Sequence, residues 1–298
     1  MTNQNMRHIE PFVDSARLLD SPAALRACAD EQGYLFFRSL LDRETVFDLR
    51  RQILEICRKY GWLDESASLM DGVAREGHRR IRTASREWFN FYHDVQRLRA
   101  FHALALDPAI LSMFEILFGD SVLPHSRNIF RFIFPNNTSV DRPHQDNFYI
   151  GGSEETWTTW IPTGDCSAAL GSLAVASGTH KLGKLAVQQT ANRGVAVILP
   201  DDITWAGGDF HCGDVLAFHS LTIHQGQDNE SGNRLRMSLD YRYQPISHPV
   251  RADSLEPHHH FPDGENTYDW ENIYSGWAPE DPIKYYWQRS DLKIIPEK

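Results

Sequence analysis

A chain of 298 residues, 41% of them apolar, is long enough to bury one large core or two small ones. Its net charge of −10 argues against nucleic acid or an anionic membrane surface as a partner, no run approaches the roughly 20 apolar residues of a membrane helix, and Met1 to His8 carry no signal-like apolar stretch. Cys28, Cys57, Cys166 and Cys212 are scattered, without a Cys-x-x-Cys pair or a disulfide framework, so the setting is read as reducing and cytoplasmic.

In chain order, Pro22 to Gln32 has helix-like apolar spacing and Gly33-Tyr34-Leu35-Phe36-Phe37 reads as a short strand. Asp42-Arg43-Glu44 opens an amphipathic helix with Val46, Leu49, Ile53, Leu54 and Cys57 on one stripe. Residues 66–98 mix charge and aromatics. The basic run Arg75, His78, Arg79, Arg80, Arg82 and Arg86 is read as a solvated face or lid. Another helical stretch spans roughly 95 to 118. From about residue 126 short strands follow: Asn128–Phe134, Thr156–Ile161, Leu173–Ala176, Val195–Leu199, Asp214–His219 and Leu235–Tyr243, with Gly, Asn and Pro between them.

The tail after Pro245 holds Trp270, Tyr274, Trp277, Tyr285, Tyr286 and Trp287, which predicts that it packs back on the core. With no repeat and no linker, residues 1–298 read as one domain: a largely helical flank over 1–125, a β core over 126–245 and an aromatic-rich extension over 246–298. The fold class is mainly β with flanking helices, an antiparallel sandwich or barrel.

The chemistry concentrates at His144-Gln145-Asp146 and the distant His224. On a strand, residues i and i+2 share a face, so His144 and Asp146 can grip one ion while a second imidazole from a neighbouring strand completes a two-His-one-carboxylate set. That set is the ligand pattern of a mononuclear non-haem iron. His219 and His224, five apart, face opposite sides of a regular strand. His224, which ends the apolar run and borders a turn, is the ligand candidate, and His219 is expected to make a structural hydrogen bond.

Antiparallel pairing across the polar loop 226–233 would set Arg234 beside His224. A five-carbon diacid chelating iron through its keto acid end needs a cation for its far carboxylate, and a guanidinium suits it. Arg236 shares the parity of Arg234 and is the reserve. Trp160, on the strand after the His-x-Asp segment, is a candidate wall of the cosubstrate pocket, and Tyr149 and the aromatics around Trp88 are weaker candidates for the substrate side. His258-His259-His260 point apart and are read as a surface stretch.

The chain resembles the phytanoyl-CoA dioxygenase family of Fe(II)/2-oxoglutarate oxygenases. The matching stretches are His144-Gln145-Asp146, Thr158-Thr159-Trp160-Ile161-Pro162, Leu170-Gly171-Ser172-Leu173 leading to Ser177-Gly178-Thr179-His180, and Gly213-Asp214-Val215-Leu216-Ala217-Phe218-His219 through His224 to Arg234, within about residues 31–245. The resemblance implies a double-stranded β-helix core, jelly-roll or cupin-like. It implies iron held by His144, Asp146 and His224, 2-oxoglutarate bound by Arg234, and dioxygen as co-reactant, with succinate and carbon dioxide released as a small-molecule substrate is oxidised. Related halogenases carry a small residue in place of the carboxylate, so Asp146 favours hydroxylation over halogenation. Departures from the family pattern at Ala168-Ala169-Leu170-Gly171, Ser177-Gly178-Thr179-His180 and Gln225 leave the ligands intact and the substrate open. The alternatives are a cupin-like metal-dependent oxygenase or hydrolase that needs no 2-oxoglutarate, and a catalytically silent jelly-roll binding module.

Overall fold

The computed structural model describes residues 9–77, 85–136, 142–189, 195–259 and 268–297. Its strands run β1 (Ile9–Pro11), β2 (Tyr34–Phe37), β3 (Val122–Pro124), β4 (Ile129–Ile133), β5 (Trp157–Pro162), β6 (Leu173–Ala176), β7 (Val187–Gln189), β8 (Val195–Val197), β9 (Trp205–Gly207), β10 (Val215–His219), β11 (His224–Gly226) and β12 (Arg236–Pro245). The helices are α1 (Pro22–Gln32), α2 (Arg43–Lys59), α3 (Arg86–Gln96), α4 (Arg99–Leu104), α5 (Pro108–Phe118), α6 (Asn147–Ile150) and α7 (Trp270–Tyr274).

Local chemistry sets the helix ends. Asp42 accepts from the Thr45 amide at 2.9 Å and caps α2, whose Val46, Leu49, Ile53, Leu54 and Cys57 are buried as one stripe. Gly33 closes α1 in the left-handed region (φ 70°), where a Cβ would collide with His180 and Thr222, so this turn into β2 needs glycine. Arg99–Phe118 is long and apolar enough to cross a membrane by length and composition alone. It breaks at Asp107–Pro108, where Asp107 caps α5, and it places Phe101, Leu104, Ile110, Met113 and Phe114 in the core.

The larger sheet has the order β2-β10-β5-β12-β3, with β4 also paired to β12, and all its pairings are antiparallel. The smaller sheet runs β1-β9-β6-β11. The double-layered, mainly β core with its helical N-terminal flank is the jelly-roll-like arrangement expected. β12 is buried on both faces, and the period of two sorts its residues cleanly. Met237, Leu239, Tyr241 and Tyr243 join the helices in the main core, while Arg236, Ser238, Asp240, Arg242 and Gln244 lie on the opposite face. Between the sheets a second cluster, including Tyr34, Phe36, Trp160, Leu173, Phe210, Leu216 and Phe218, fills one end. In the tail, Trp270, Ile273, Tyr274 and Trp287 pack with Leu123, Val250 and Leu255.

Two buried histidines give the fold a pH dependence. His102 donates from Nε2 to the Gln96 carbonyl (2.8 Å) and accepts at Nδ1 from Asn128 (3.1 Å), so the neutral ring is fully used. Burial pushes both His102 and His125 down to about 4. An unfolded chain protonates these rings below about pH 6.5, so the stability they confer is full above that pH and is lost as pH falls through about 4. Each ring contributes roughly 3 kcal/mol at the acid end. The melting temperature of the metal-free protein is expected to fall steadily from pH 6.5 to pH 4; a flat profile over that window would contradict this.

Candidate active site

β10 ends at His219, the chain turns over Ser220–Ile223, and β11 begins at His224 in the other sheet. His224 therefore does not end the β10 run, as the sequence had suggested, but opens a separate strand. His224 pairs with Val175 of β6 on one side and bridges His144 on the other, their amides and carbonyls exchanged at 3.0 and 3.1 Å. After His144 the chain turns helical: Asp146 has φ −62° and ψ −29° and starts α6. His144 and Asp146 are thus not alternate positions of one strand. They converge because a strand bridge runs straight into a helical turn.

The convergence is close. Oδ1 of Asp146 lies 3.7 Å from His144 Nε2 and 3.8 Å from His224 Nε2, and the three prospective ligand atoms lie within 4.8 Å of one another. Each ring is fixed through its other nitrogen: His144 Nδ1 donates to the Arg142 carbonyl (2.8 Å) and His224 Nδ1 to the Thr222 carbonyl (3.1 Å). That tautomer leaves the Nε2 lone pairs facing the carboxylate. The second Asp146 oxygen accepts from Thr158 Oγ1 at 2.7 Å and lies 3.6 Å from Arg242 Nη2.

Burial works against ionisation of Asp146, but Arg242, His224, His144 and the Thr158 hydrogen bond together hold its carboxyl well below the usual range. Burial, and then the neighbouring His144, push His224 down to about 3. Two neutral imidazoles and an ionised carboxylate are the charge state in which these groups ligate, and this donor set fits Fe(II). Thr158→Val removes the hydrogen bond that orients Asp146 at nearly constant volume. It is expected to weaken Fe(II) binding about ten- to a hundredfold in an anaerobic titration, and an unchanged affinity would contradict the orienting role.

Sequence reasoning did not single out Gln145, which pins the segment: it donates to the Leu221 (2.7 Å) and Gly183 (2.8 Å) carbonyls and accepts from the Leu185 amide (2.9 Å). His219 is structural as expected, accepting from the Leu221 amide at 3.1 Å.

The placement of Arg234 differs from the expectation. β11 pairs with β6 and β12 with β5, so the loop between β11 and β12 crosses from one sheet to the other and is no hairpin. Arg234 is exposed and its backbone bridges Val73. Arg236 is the buried one: its guanidinium lies 5.9 Å from the Trp160 ring centroid and donates to Ser238 Oγ at 2.7 Å. Trp160 is buried in the inter-sheet cluster, edge-on to Phe210.

Of the substrate-side aromatics, Tyr149 is near the triad, its ring 5.8 Å from that of His144. Trp88 instead packs with Phe89 and Tyr92 in the main core. His258 and His259 are not a surface stretch: His258 Nδ1 lies 2.5 Å from Tyr92 Oη and His259 stands edge-on to Trp88. His260, and His78, Arg79, Arg80 and Arg82 of the basic run, lie outside the described residues. Arg242, beside Asp146, also escaped notice. The signal was available, because it continues the parity of Arg234 and Arg236.

Comparison with known proteins bears on the same region. The model of the phytanoyl-CoA dioxygenase family matches residues 29–238. The chain is 30% identical over 266 residues to the 1-deoxypentalenic acid 11-beta-hydroxylase of Streptomyces exfoliatus, covering 84% of this chain and 90% of that protein. Among solved structures it is similar to the epimerase SnoN in complex with Fe3+, alpha-ketoglutarate and nogalamycin RO (TM-score 0.56, 17% identity, 78% of this chain and 86% of that one). It is also similar to EvdO2 from Micromonospora carbonacea var. aurantiaca (TM-score 0.54, 13% identity, 80% and 94%). At these identities the solved structures establish the fold.

Proposed function

Because this chain belongs to the phytanoyl-CoA dioxygenase family and is a non-haem Fe(II)/2-oxoglutarate-dependent oxygenase, we propose that it hydroxylates a small organic molecule with His144, Asp146 and His224 as the iron ligands. The readings that dispense with 2-oxoglutarate or with catalysis fall away with family membership. The observation that carries the assignment is the facing of two tautomer-fixed Nε2 atoms toward one oxygen of a buried, ionised carboxylate. When bound, the iron with 2-oxoglutarate and dioxygen supplies the oxidising power, and succinate and carbon dioxide leave.

The chain's residues bind, orient and exclude water. Thr158 and Arg242 hold the non-ligating oxygen of Asp146, keeping the other turned toward the histidines. The far carboxylate of 2-oxoglutarate is assigned to Arg236 in place of Arg234, with Ser238 beside the guanidinium and Trp160 as wall. Trp160 itself sits in the apolar cluster with Phe36, Leu216 and Phe218, which would shield that side of the site from water.

Retention of Asp146 supports hydroxylation over halogenation, and hydroxylation is what the Streptomyces relative's name describes. All four cysteines are free, which supports a reducing, cytoplasmic setting. The test is turnover under isotopically labelled dioxygen with a small-molecule panel. A product that gains one labelled oxygen atom is expected, and a chlorinated product in the presence of chloride would overturn the hydroxylase assignment.

A further inference from the structure

Resting on the iron-site reading above, we infer that the substrate is an apolar carboxylic acid whose carboxylate is held by Arg242 and Arg127. Arg242 is 6% exposed, its Nη2 reaches Asp146 Oδ2 only at 3.6 Å, and its buried Nε has no hydrogen-bond partner among the described residues. Asp146 turns its other oxygen to the two histidines, so among the described residues the only carboxylate paired with Arg242 is one it shares with both imidazoles.

Arg127 follows closely in space. His125, two residues before it, donates its amide to the Arg242 carbonyl at 2.8 Å. Arg127 Nη1 donates to the Asp253 carbonyl (2.7 Å) and lies 3.8 Å from the Asp253 carboxylate. That carboxylate is already gripped through both oxygens by Arg251, so two guanidiniums share one negative charge. The remaining arginines of this interior are accounted for: Arg131 pairs with Asp240, and Arg236 is assigned to 2-oxoglutarate.

The crowding of positive charge shows in the neighbours. The proton affinity of Arg127 is lowered by burial and then by Arg242, and His258 is driven well below its ordinary range by burial, by His259, and by Arg127, Arg131 and Arg242. Guanidiniums that must share a counter-charge away from water are costly, and they persist where a ligand supplies the missing charge. With both carboxylates of 2-oxoglutarate assigned, the missing anion falls to the substrate, and a planar carboxylate matches the guanidinium fork.

The body of that substrate is apolar. On α6 Tyr149, whose ring lies 5.8 Å from that of His144, is 43% exposed and its neighbour Phe148 52%, and Leu182 is 53% exposed next to Gly183, the residue that Gln145 anchors.

Calorimetry on the protein loaded anaerobically with Fe(II) and 2-oxoglutarate tests this. The probes are decanoic, dodecanoic and adamantane-1-carboxylic acids, each beside its methyl ester and primary amide. At least one acid is expected to bind about tenfold or more tightly than its ester and amide, and that preference is expected to vanish in Arg242→Gln and in Arg127→Gln, the latter farther from the metal ligands. No preference for acids, including no binding by any probe, overturns the inference. So does an Arg242→Gln variant whose loss is in 2-oxoglutarate affinity alone. Failure of the wild-type protein to take up Fe(II) or 2-oxoglutarate would strike the underlying iron-site reading instead, and that step is measured first.

Discussion

His144→Ala is expected to abolish tight Fe(II) binding and to lower turnover by roughly a thousandfold or more, the scale of several kcal/mol of lost metal-based stabilisation at about 1.4 kcal/mol per factor of ten. The reason lies in how little else could take its place. The rings of His144 and His224 stand 4.3 Å apart, backed by their backbone bridge and by the Arg142 and Thr222 carbonyls, and among the described residues Asp146 is the one carboxylate grouped with them. Removing one imidazole leaves two ligands and a void open toward Tyr149. His224→Ala should behave alike. His219→Gln should keep Fe(II) affinity close to wild type, because His219 serves the Leu221 amide and not the triad. Anaerobic Fe(II) titration of the three variants decides this. Tight Fe(II) binding by His144→Ala, or its loss in His219→Gln alone, would reassign the ligand.

Arg236→Ala is expected to raise the KM for 2-oxoglutarate about a hundredfold, whereas Arg234→Ala should change it less than about twofold. Removing one partner of a buried, hydrogen-bonded charge pair costs about 2–5 kcal/mol, and rim charges cost little. Arg236 is 3% exposed and lies over Trp160, while Arg234 is exposed and pairs through its backbone with Val73. Arg236→Lys should recover only part of the affinity, since an ammonium lacks the planar fork. Steady-state kinetics in 2-oxoglutarate for the three variants are the check, and a large effect of Arg234→Ala with none from Arg236→Ala would return the role to Arg234.

The contrast between these arginines shows what a sequence of this kind discloses. Elements carried by local chemistry were legible. Pro22–Gln32 and the Asp42-capped helix follow from caps and stripes, and Leu173–Ala176 and the β10 and β12 strands follow from β-rich runs between turn residues. The grouping of His144, Asp146 and His224 was legible too, because residue types able to share a metal are chemically restricted. The path of the chain between sheets was not. Treating the loop 226–233 as a hairpin presumed that sequence neighbours pair, whereas in this sandwich β11 joins β6 and β12 joins β5. The same omission put His144 and Asp146 on one strand when Asp146 opens a helix. His258 and His259 read as surface because their burial is supplied by α3, far away in sequence.

The central claim, that this chain couples oxidation to 2-oxoglutarate at a His144–Asp146–His224 iron centre, is tested most directly by succinate formation. Purified protein is loaded anaerobically with Fe(II) and 2-oxoglutarate, exposed to dioxygen, and assayed for succinate beside His144→Ala. Succinate that requires Fe(II) and dioxygen in the wild type and is absent from the variant is the result expected. Equal succinate from both proteins, or none from wild type that has bound both iron and 2-oxoglutarate, would contradict it.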